Sequence, residues 1–179
     1  MSGIWIFVCG PSGAGKDSVI ALAQKTVVER RDIVFARRLV TRPAQTGSDH
    51  DPVSESDFHA LVQAGGLRWH WQAHGFFYGI AQRYTAEVQA GGIVVVNGSR
   101  AHVQCLPHSA EVRLVEVTAS PALLAARLAG RGRDTASAMA DRLARGAACF
   151  GSLAADCVIV NDTELAVAAQ RLANYLTGN

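Results

Sequence analysis

The sequence predicts an α/β domain in three layers, with helices on both faces of a parallel sheet of about five strands. Three observations carry that prediction. A short apolar run at the N-terminus leads into a glycine-rich loop and then a helical period. Further apolar runs alternate with helical segments as far as the C-terminus. No repeat, low-complexity stretch or linker interrupts the 179 residues, whose 49% hydrophobic content is enough to bury a sizeable core in one domain.

The first element is Ile4-Trp5-Ile6-Phe7-Val8-Cys9, an unbroken apolar run of the kind a parallel strand buried on both faces requires. It runs into Gly10-Pro11-Ser12-Gly13-Ala14-Gly15-Lys16, with Asp17 and Ser18 behind it and a helical stretch from Val19 to Val28. Strand, G-x-x-x-x-G-K and helix together form a phosphate-binding signature. The glycines let the backbone turn tightly so that its N–H groups converge on a phosphate, the helix start adds its dipole, and Lys16 reaches the β- and γ-phosphates of a nucleotide. The pattern expects Ser or Thr directly after the lysine as a Mg²⁺ ligand, but Asp17 stands there. Either Asp17 holds the metal, directly or through water, or Ser18 does. The plainer alternative is an acid favoured by the dipole in the first turn of a helix.

The stretch from Asp32 to Thr41 contains an expected second strand, Ile33 to Ala36 continuing through Arg37 and Arg38 to Val40, and the polar, proline-ended stretch from Thr41 to Pro52 reads as a long loop. Ser54-Glu55-Ser56-Asp57 is a capping signal for a helix from Asp57 to Ala64, ended by Gly65 and Gly66. Leu67 to Ala73 and Phe76 to Tyr78, joined across His74-Gly75, have the aromatic content and glycine turn of a hairpin built onto the sheet. Tyr84 to Gln89 is helical. Ile93-Val94-Val95-Val96 is the strongest core strand, ending in the polar Asn97-Gly98-Ser99-Arg100 where ligands of open α/β sheets bind. Glu111 to Val117 is a strand, and Ser120-Pro121 caps a helix from Ala122 to Leu128. A basic loop from Ala129 to Asp134 precedes a helix from Ala136 to Cys149; Cys157 to Val160 is the last strand and Glu164 to Leu176 the closing helix.

The net charge of +2 is too mild for a nucleic-acid surface. Among the seventeen basic residues only Lys16 and Lys25 are lysines, an arginine bias that suits forked phosphate recognition or reflects codon composition. Cys9, Cys105, Cys149 and Cys157 show no C-x-x-C pairing, and the six histidines show no ligand spacing. No signal peptide and no membrane-length apolar run are evident, so a cytoplasmic protein with no membrane or nucleic-acid partner is expected.

The glycine loop ending GKD, Thr41-Arg42-Pro43 after the second strand, Phe77-Tyr78-Gly79, Arg131-Gly132-Arg133 and Val158-Ile159-Val160-Asn161-Asp162 follow one another along the whole chain in an order that resembles the guanylate kinase-like kinases. The GKD loop, Trp71 to Gly75 with Tyr78-Gly79-Ile80, and Val96 to Ala101 more closely resemble the ribose 1,5-bisphosphate phosphokinases of phosphonate breakdown. The resemblance implies one guanylate kinase-like domain over residues 1–179, an acceptor-binding lobe near 37–80 and a lid near 129–145. It implies transfer from ATP, with Mg²⁺, onto ribose 1,5-bisphosphate to give 5-phospho-α-D-ribose 1-diphosphate. Departures from guanylate kinase fit that substrate: Gln45 stands near where that enzyme would have a second acceptor arginine, Gln72 near where its guanine-reading glutamate would be, Ile80 where a hydroxyl would follow Tyr-Gly, and Asn97 where its strand-end aspartate would be. An isoleucine neither donates nor accepts, so a guanine site looks dismantled.

On that resemblance, Gly10 to Ser18, Arg133 and Asn161 bind ATP, with Asp162 beside the adenine or capping a helix. Lys16, Arg131 and Arg142 act on the transferring group; Arg42, Tyr78, Asn97, Arg100 and Arg145 hold the acceptor; Asp17 and Ser18 face the metal. Each arginine taken alone also reads as a solvated surface residue. A guanylate-type kinase and a catalytically inactive guanylate kinase-like binding module are the alternatives. The intact glycines and Lys16 speak against the module, and the missing N-K-x-D speaks against a GTP switch. A homodimer is compatible with the sequence.

Overall fold

The computed structural model describes residues 2–44, 49–73, 75–106, 109–129 and 155–178. In chain order the elements are β1 (Ile4–Cys9), α1 (Lys16–Thr26), β2 (Ile33–Ala36), β3 (Arg38–Val40), β4 (His50–Pro52), α2 (Glu55–Gln63), β5 (Leu67–Ala73), β6 (Phe76–Ala81), α3 (Tyr84–Gln89), β7 (Ile93–Asn97), α4 (Arg100–Val103), β8 (Val112–Thr118), α5 (Pro121–Ala129), β9 (Cys157–Val160) and α6 (Leu165–Thr177). A five-stranded parallel sheet has the order β2-β7-β1-β8-β9, and a four-stranded sheet has the order β4-β3-β6-β5. β1 is buried along its length except at Ile4, as its unbroken apolar run requires.

The chain divides into two compact units. The first comprises Met1–Phe7, Glu29–Asn97 and Pro107–Arg113. Here the single strand expected from Ile33 to Val40 is two. β2 pairs in parallel with β7, while β3 belongs to the four-stranded sheet, antiparallel to β6 and parallel to β4. Arg37 separates them because its backbone N–H donates to the Tyr84 hydroxyl at 3.0 Å and not to a strand ladder. Its guanidinium lies 2.7 Å from the Asp51 carboxylate, which ties the start of β3 to β4. The stretch from Thr41 to Pro52 is therefore not loop throughout: His50–Pro52 is a short edge strand, and Pro52 is tolerated there because an edge does not need its missing N–H.

The hairpin forms as expected, with β5 and β6 antiparallel and Gly75 at a φ of 78° in the turn. Trp69 packs edge-to-face on Trp5 and Phe7, with ring centroids 5.9 and 5.7 Å apart, so this tryptophan is core. The helix expected from Asp57 begins two residues earlier. Ser54 is its cap, accepting from the Asp57 N–H at 3.1 Å. Gly79 lets α2 close on the hairpin, since a Cβ there would lie 2.8 Å from Leu67 and 3.0 Å from Phe58.

The second unit comprises Val8–Val28, Gly98–Leu106 and Leu114–Asn179. Val19, Ile20 and Ala23 of α1 are buried, and α6 packs on that helix with Ala168, Ala169, Leu172, Ala173 and Leu176 buried at helical spacing. β8 and β9 pair in parallel from Val115 and Cys157 to Thr118 and Val160. Short side-chain bonds fix their ends: Asp156 accepts from the Leu114 N–H and Asp162 from the Ser120 N–H, both at 2.7 Å. The expected acceptor lobe lies within the first unit, and the expected lid beyond Ala129 lies outside the described residues.

Candidate active site

In the second unit the glycine loop joins β1 to α1. Gly15 is the N-cap of α1 at φ 80° and ψ 18°, a left-handed conformation that glycine adopts without the strain a Cβ brings. Glycine at the cap places no side chain over the helix start, whose positive dipole end suits an anion. Lys16 is largely covered, with 16% of its side chain exposed, and its Nζ lies 2.9 Å from the Asp17 carboxylate, which is 66% exposed. Ser12 and Ser18 are exposed, whereas Pro11, Gly13 and Ala14 are buried.

Asn161, just beyond β9, holds the loop from behind. Its Nδ2 donates to the Ala14 carbonyl at 2.8 Å, its own carbonyl accepts from Arg127 at 3.0 Å, and the residue is only 4% exposed. Asp162 is engaged with Ser120, the pairing described above, and not with the start of α6. Arg100 opens α4, whose cap Ser99 accepts from the His102 N–H at 3.2 Å. Burial pushes the Cys9 thiol up to about 12, with Glu116 raising it further and Lys16 and Arg100 pulling it down. Cys9 is thus a neutral core thiol. Glu116 carries no sequence signal of function, yet its Oε1 is buried with no hydrogen-bond partner.

In the first unit, Arg42 follows β3 and its guanidinium carbon lies 5.8 Å from the centre of the Phe76 ring. The Nε of Arg42 is buried with no hydrogen-bond partner. Arg42 lines a cleft of about 340 Å³ with Thr41, Pro43, Pro52, Val53 and Ser54. Tyr78 stacks on Trp71, rings 5.4 Å apart and 8° from parallel, with the Arg38 guanidinium 5.9 Å from the tyrosine ring. Asn97 ends β7 and is buried.

The residue beside Tyr78 on the adjacent strand is therefore Trp71. Gln72, expected near a base-reading position, pairs with Phe77 on the opposite face and is exposed, because successive strand residues alternate sides. Ile80 is fully buried. Arg131, Arg133, Arg142 and Arg145 lie outside the described residues, as does Gln45. Among the described residues, no group of three or more His, Cys, Asp or Glu could hold a metal ion, and no helix is long and apolar enough to cross a membrane.

No protein-family model matches the chain. Among curated proteins, the ribose 1,5-bisphosphate phosphokinase PhnN of Acidiphilium cryptum is 46% identical over 162 residues, spanning 90% of this chain and 86% of that one. The chain belongs to the ribose 1,5-bisphosphate phosphokinase family. A second member, the protein of the same name from Methylobacterium radiotolerans, is 40% identical over 177 residues and is matched over 98% of both chains. The crystal structure of guanylate kinase from Anaplasma phagocytophilum superposes with a TM-score of 0.72 over 99% of this family member and 86% of that enzyme. At 19% identity that likeness shows a guanylate kinase-like fold.

Proposed function

We propose that the protein transfers the γ-phosphoryl group of ATP to the 1-phosphate of ribose 1,5-bisphosphate, giving 5-phospho-α-D-ribose 1-diphosphate and ADP in phosphonate degradation. The observation that carries this reading is the nearly end-to-end match to kinases named for that acceptor. The loop around Gly15 supports it as a triphosphate cradle, and the buried, unpartnered Nε of Arg42 supports it as a waiting donor for an acceptor phosphate.

Gly10 to Lys16 bind the triphosphate, and Lys16 exchanges the Asp17 carboxylate for phosphate oxygens. Asp17 and Ser18, exposed at the start of α1, fit Mg²⁺, which binds through one or two protein groups while substrate phosphates and water complete its shell. The ion would draw charge from the β- and γ-phosphates. Asn161 serves ATP binding by fixing the loop. Arg42 and Tyr78 hold the acceptor with Asn97, Arg100 and Arg145, and Arg131, Arg133 and Arg142 close over the transferring group. A phosphate monoester with a second pKa of about 6 is already an oxyanion at neutral pH, so the site needs positioning and charge neutralisation and no general base. The enzyme is read as cytoplasmic, with a homodimer as the candidate assembly.

The test is ³¹P NMR of ATP, Mg²⁺ and ribose 1,5-bisphosphate with the purified enzyme. The reading requires coupled diphosphate resonances of a phosphosugar to grow with ADP. Loss of ATP with only inorganic phosphate appearing would contradict it.

A further inference from the structure

We infer that His50 is a positioning residue for the acceptor: it fixes the main chain of Arg42 so that the guanidinium faces the acceptor phosphate. The inference rests on the reading of Arg42 given under Proposed function.

His50 opens β4, a three-residue edge strand, yet it is only 2% exposed, an unusual place to bury an imidazole. Its Nε2 lies 3.1 Å from the Arg42 carbonyl oxygen. A carbonyl only accepts, so Nε2 carries the proton and donates. In the neutral ring Nδ1 is then a bare acceptor, and it is buried with no hydrogen-bond partner. A side chain kept solely for packing would not leave a buried nitrogen unsatisfied, whereas one kept for its single donor to Arg42 accepts that cost.

The surroundings explain why the bond matters. Thr41 is clamped to β6 twice: its N–H donates to the Phe77 carbonyl at 3.1 Å and its hydroxyl accepts from the Phe77 N–H at 2.9 Å. The next residue but one, Pro43, has no N–H to pin. Between them Arg42 is held through its carbonyl by His50. β4 is itself tied to β3 through Arg37, which reaches both Asp51 and, at 3.4 Å, the His50 carbonyl. The chain Arg37, β4, His50, Arg42 passes rigidity from an ion pair to an arginine whose Nε is poised but unpartnered.

The experiment compares His50→Gln with His50→Asn. A glutamine amide reaches about as far as Nε2 and can still donate to the Arg42 carbonyl; an asparagine amide stops near Nδ1. Both are polar and similar in bulk, so neither folding nor solubility distinguishes them. Steady-state constants are measured for ATP and for ribose 1,5-bisphosphate, in wild-type and Arg42→Ala backgrounds. Expected are a fall of about tenfold in acceptor kcat/KM for His50→Asn, carried mainly by KM, an unchanged KM for ATP, and near-complete rescue by His50→Gln. In the Arg42→Ala background the asparagine should cost nothing further, because the two residues act as one unit. If Arg42→Ala alone leaves the acceptor constants unchanged, the assignment of Arg42 fails. If Arg42→Ala is impaired but His50→Asn behaves as wild type, equals His50→Gln, or loses as much again in the Arg42→Ala background, the inference about His50 is overturned.

Discussion

Replacing Gly15 by alanine perturbs the phosphate loop at one atom. The φ of 80° is costly for any residue with a Cβ, about 1 kcal/mol or somewhat more. The added Cβ would also lie 2.6 Å from Nδ2 of Asn161, a distance real contacts do not show, so the amide must retreat and give up its 2.8 Å bond to the Ala14 carbonyl. Because Asn161 is only 4% exposed, losing that bond adds about 1–3 kcal/mol. The sum, about 2–4 kcal/mol, corresponds to a Tm lowered by roughly 4–16 °C in a chain of this size. Gly65 is the internal control: its φ is +68°, but a Cβ there meets nothing within 4 Å, so Gly65→Ala carries the backbone cost alone. Calorimetry of both variants separates the two contributions, and ATP KM from ADP release reports the loop. Gly15→Ala should melt several degrees below Gly65→Ala and raise KM for ATP about tenfold or more. A Gly15→Ala protein that melts with Gly65→Ala and keeps the wild-type KM would mean that neither the Asn161 bond nor the loop backbone matters as described.

Lys16→Met should abolish phosphoryl transfer with little change in Tm, since the ammonium pairs with the exposed Asp17 carboxylate at 2.9 Å; turnover near wild type would remove the lysine from the chemistry. Asp17→Ala should shift the Mg²⁺ titration of activity to higher concentration, and an overlaid titration would reduce Asp17 to an acid of the first helical turn. Cys9 should resist alkylation in the native protein at pH 8 while the exposed Cys105 reacts, because burial pushes the Cys9 thiol up to about 12. The sign follows: stability tied to that proton is intact below the ordinary thiol value and is lost as pH rises toward about 12. Alkylation of Cys9 at the rate of Cys105 would contradict this environment.

Local chemistry made much of this structure legible. The glycine loop announces itself because only glycine tolerates its backbone, and β1, β7 and β9 because strands of a parallel sheet read as short apolar runs. The cap at Ser54 and the turn at Gly75 are equally local. What escaped depends on contacts distant in sequence. The break at Arg37 is set by the Tyr84 hydroxyl, 47 residues away, and β4 exists because β3 lies beside it. His50 carries no spacing signal, since its partner is a backbone carbonyl. The place of Gln72 follows from local alternation, since period two from Trp69 puts Trp71 on the face of Tyr78 and Gln72 on the other.

An acceptor panel decides between a phosphosugar and a nucleotide as the acceptor. Ribose 1,5-bisphosphate, GMP, AMP and dGMP are each offered with ATP and Mg²⁺, and kcat/KM is taken from ADP release with product mass as the check. Ile80 is fully buried and offers a base edge no hydrogen bond, and the residue stacked on Tyr78 is Trp71, so ribose 1,5-bisphosphate should be the best acceptor by a wide margin. A kcat/KM for GMP equal to or above that for ribose 1,5-bisphosphate would contradict the account and make the protein a guanylate-type kinase.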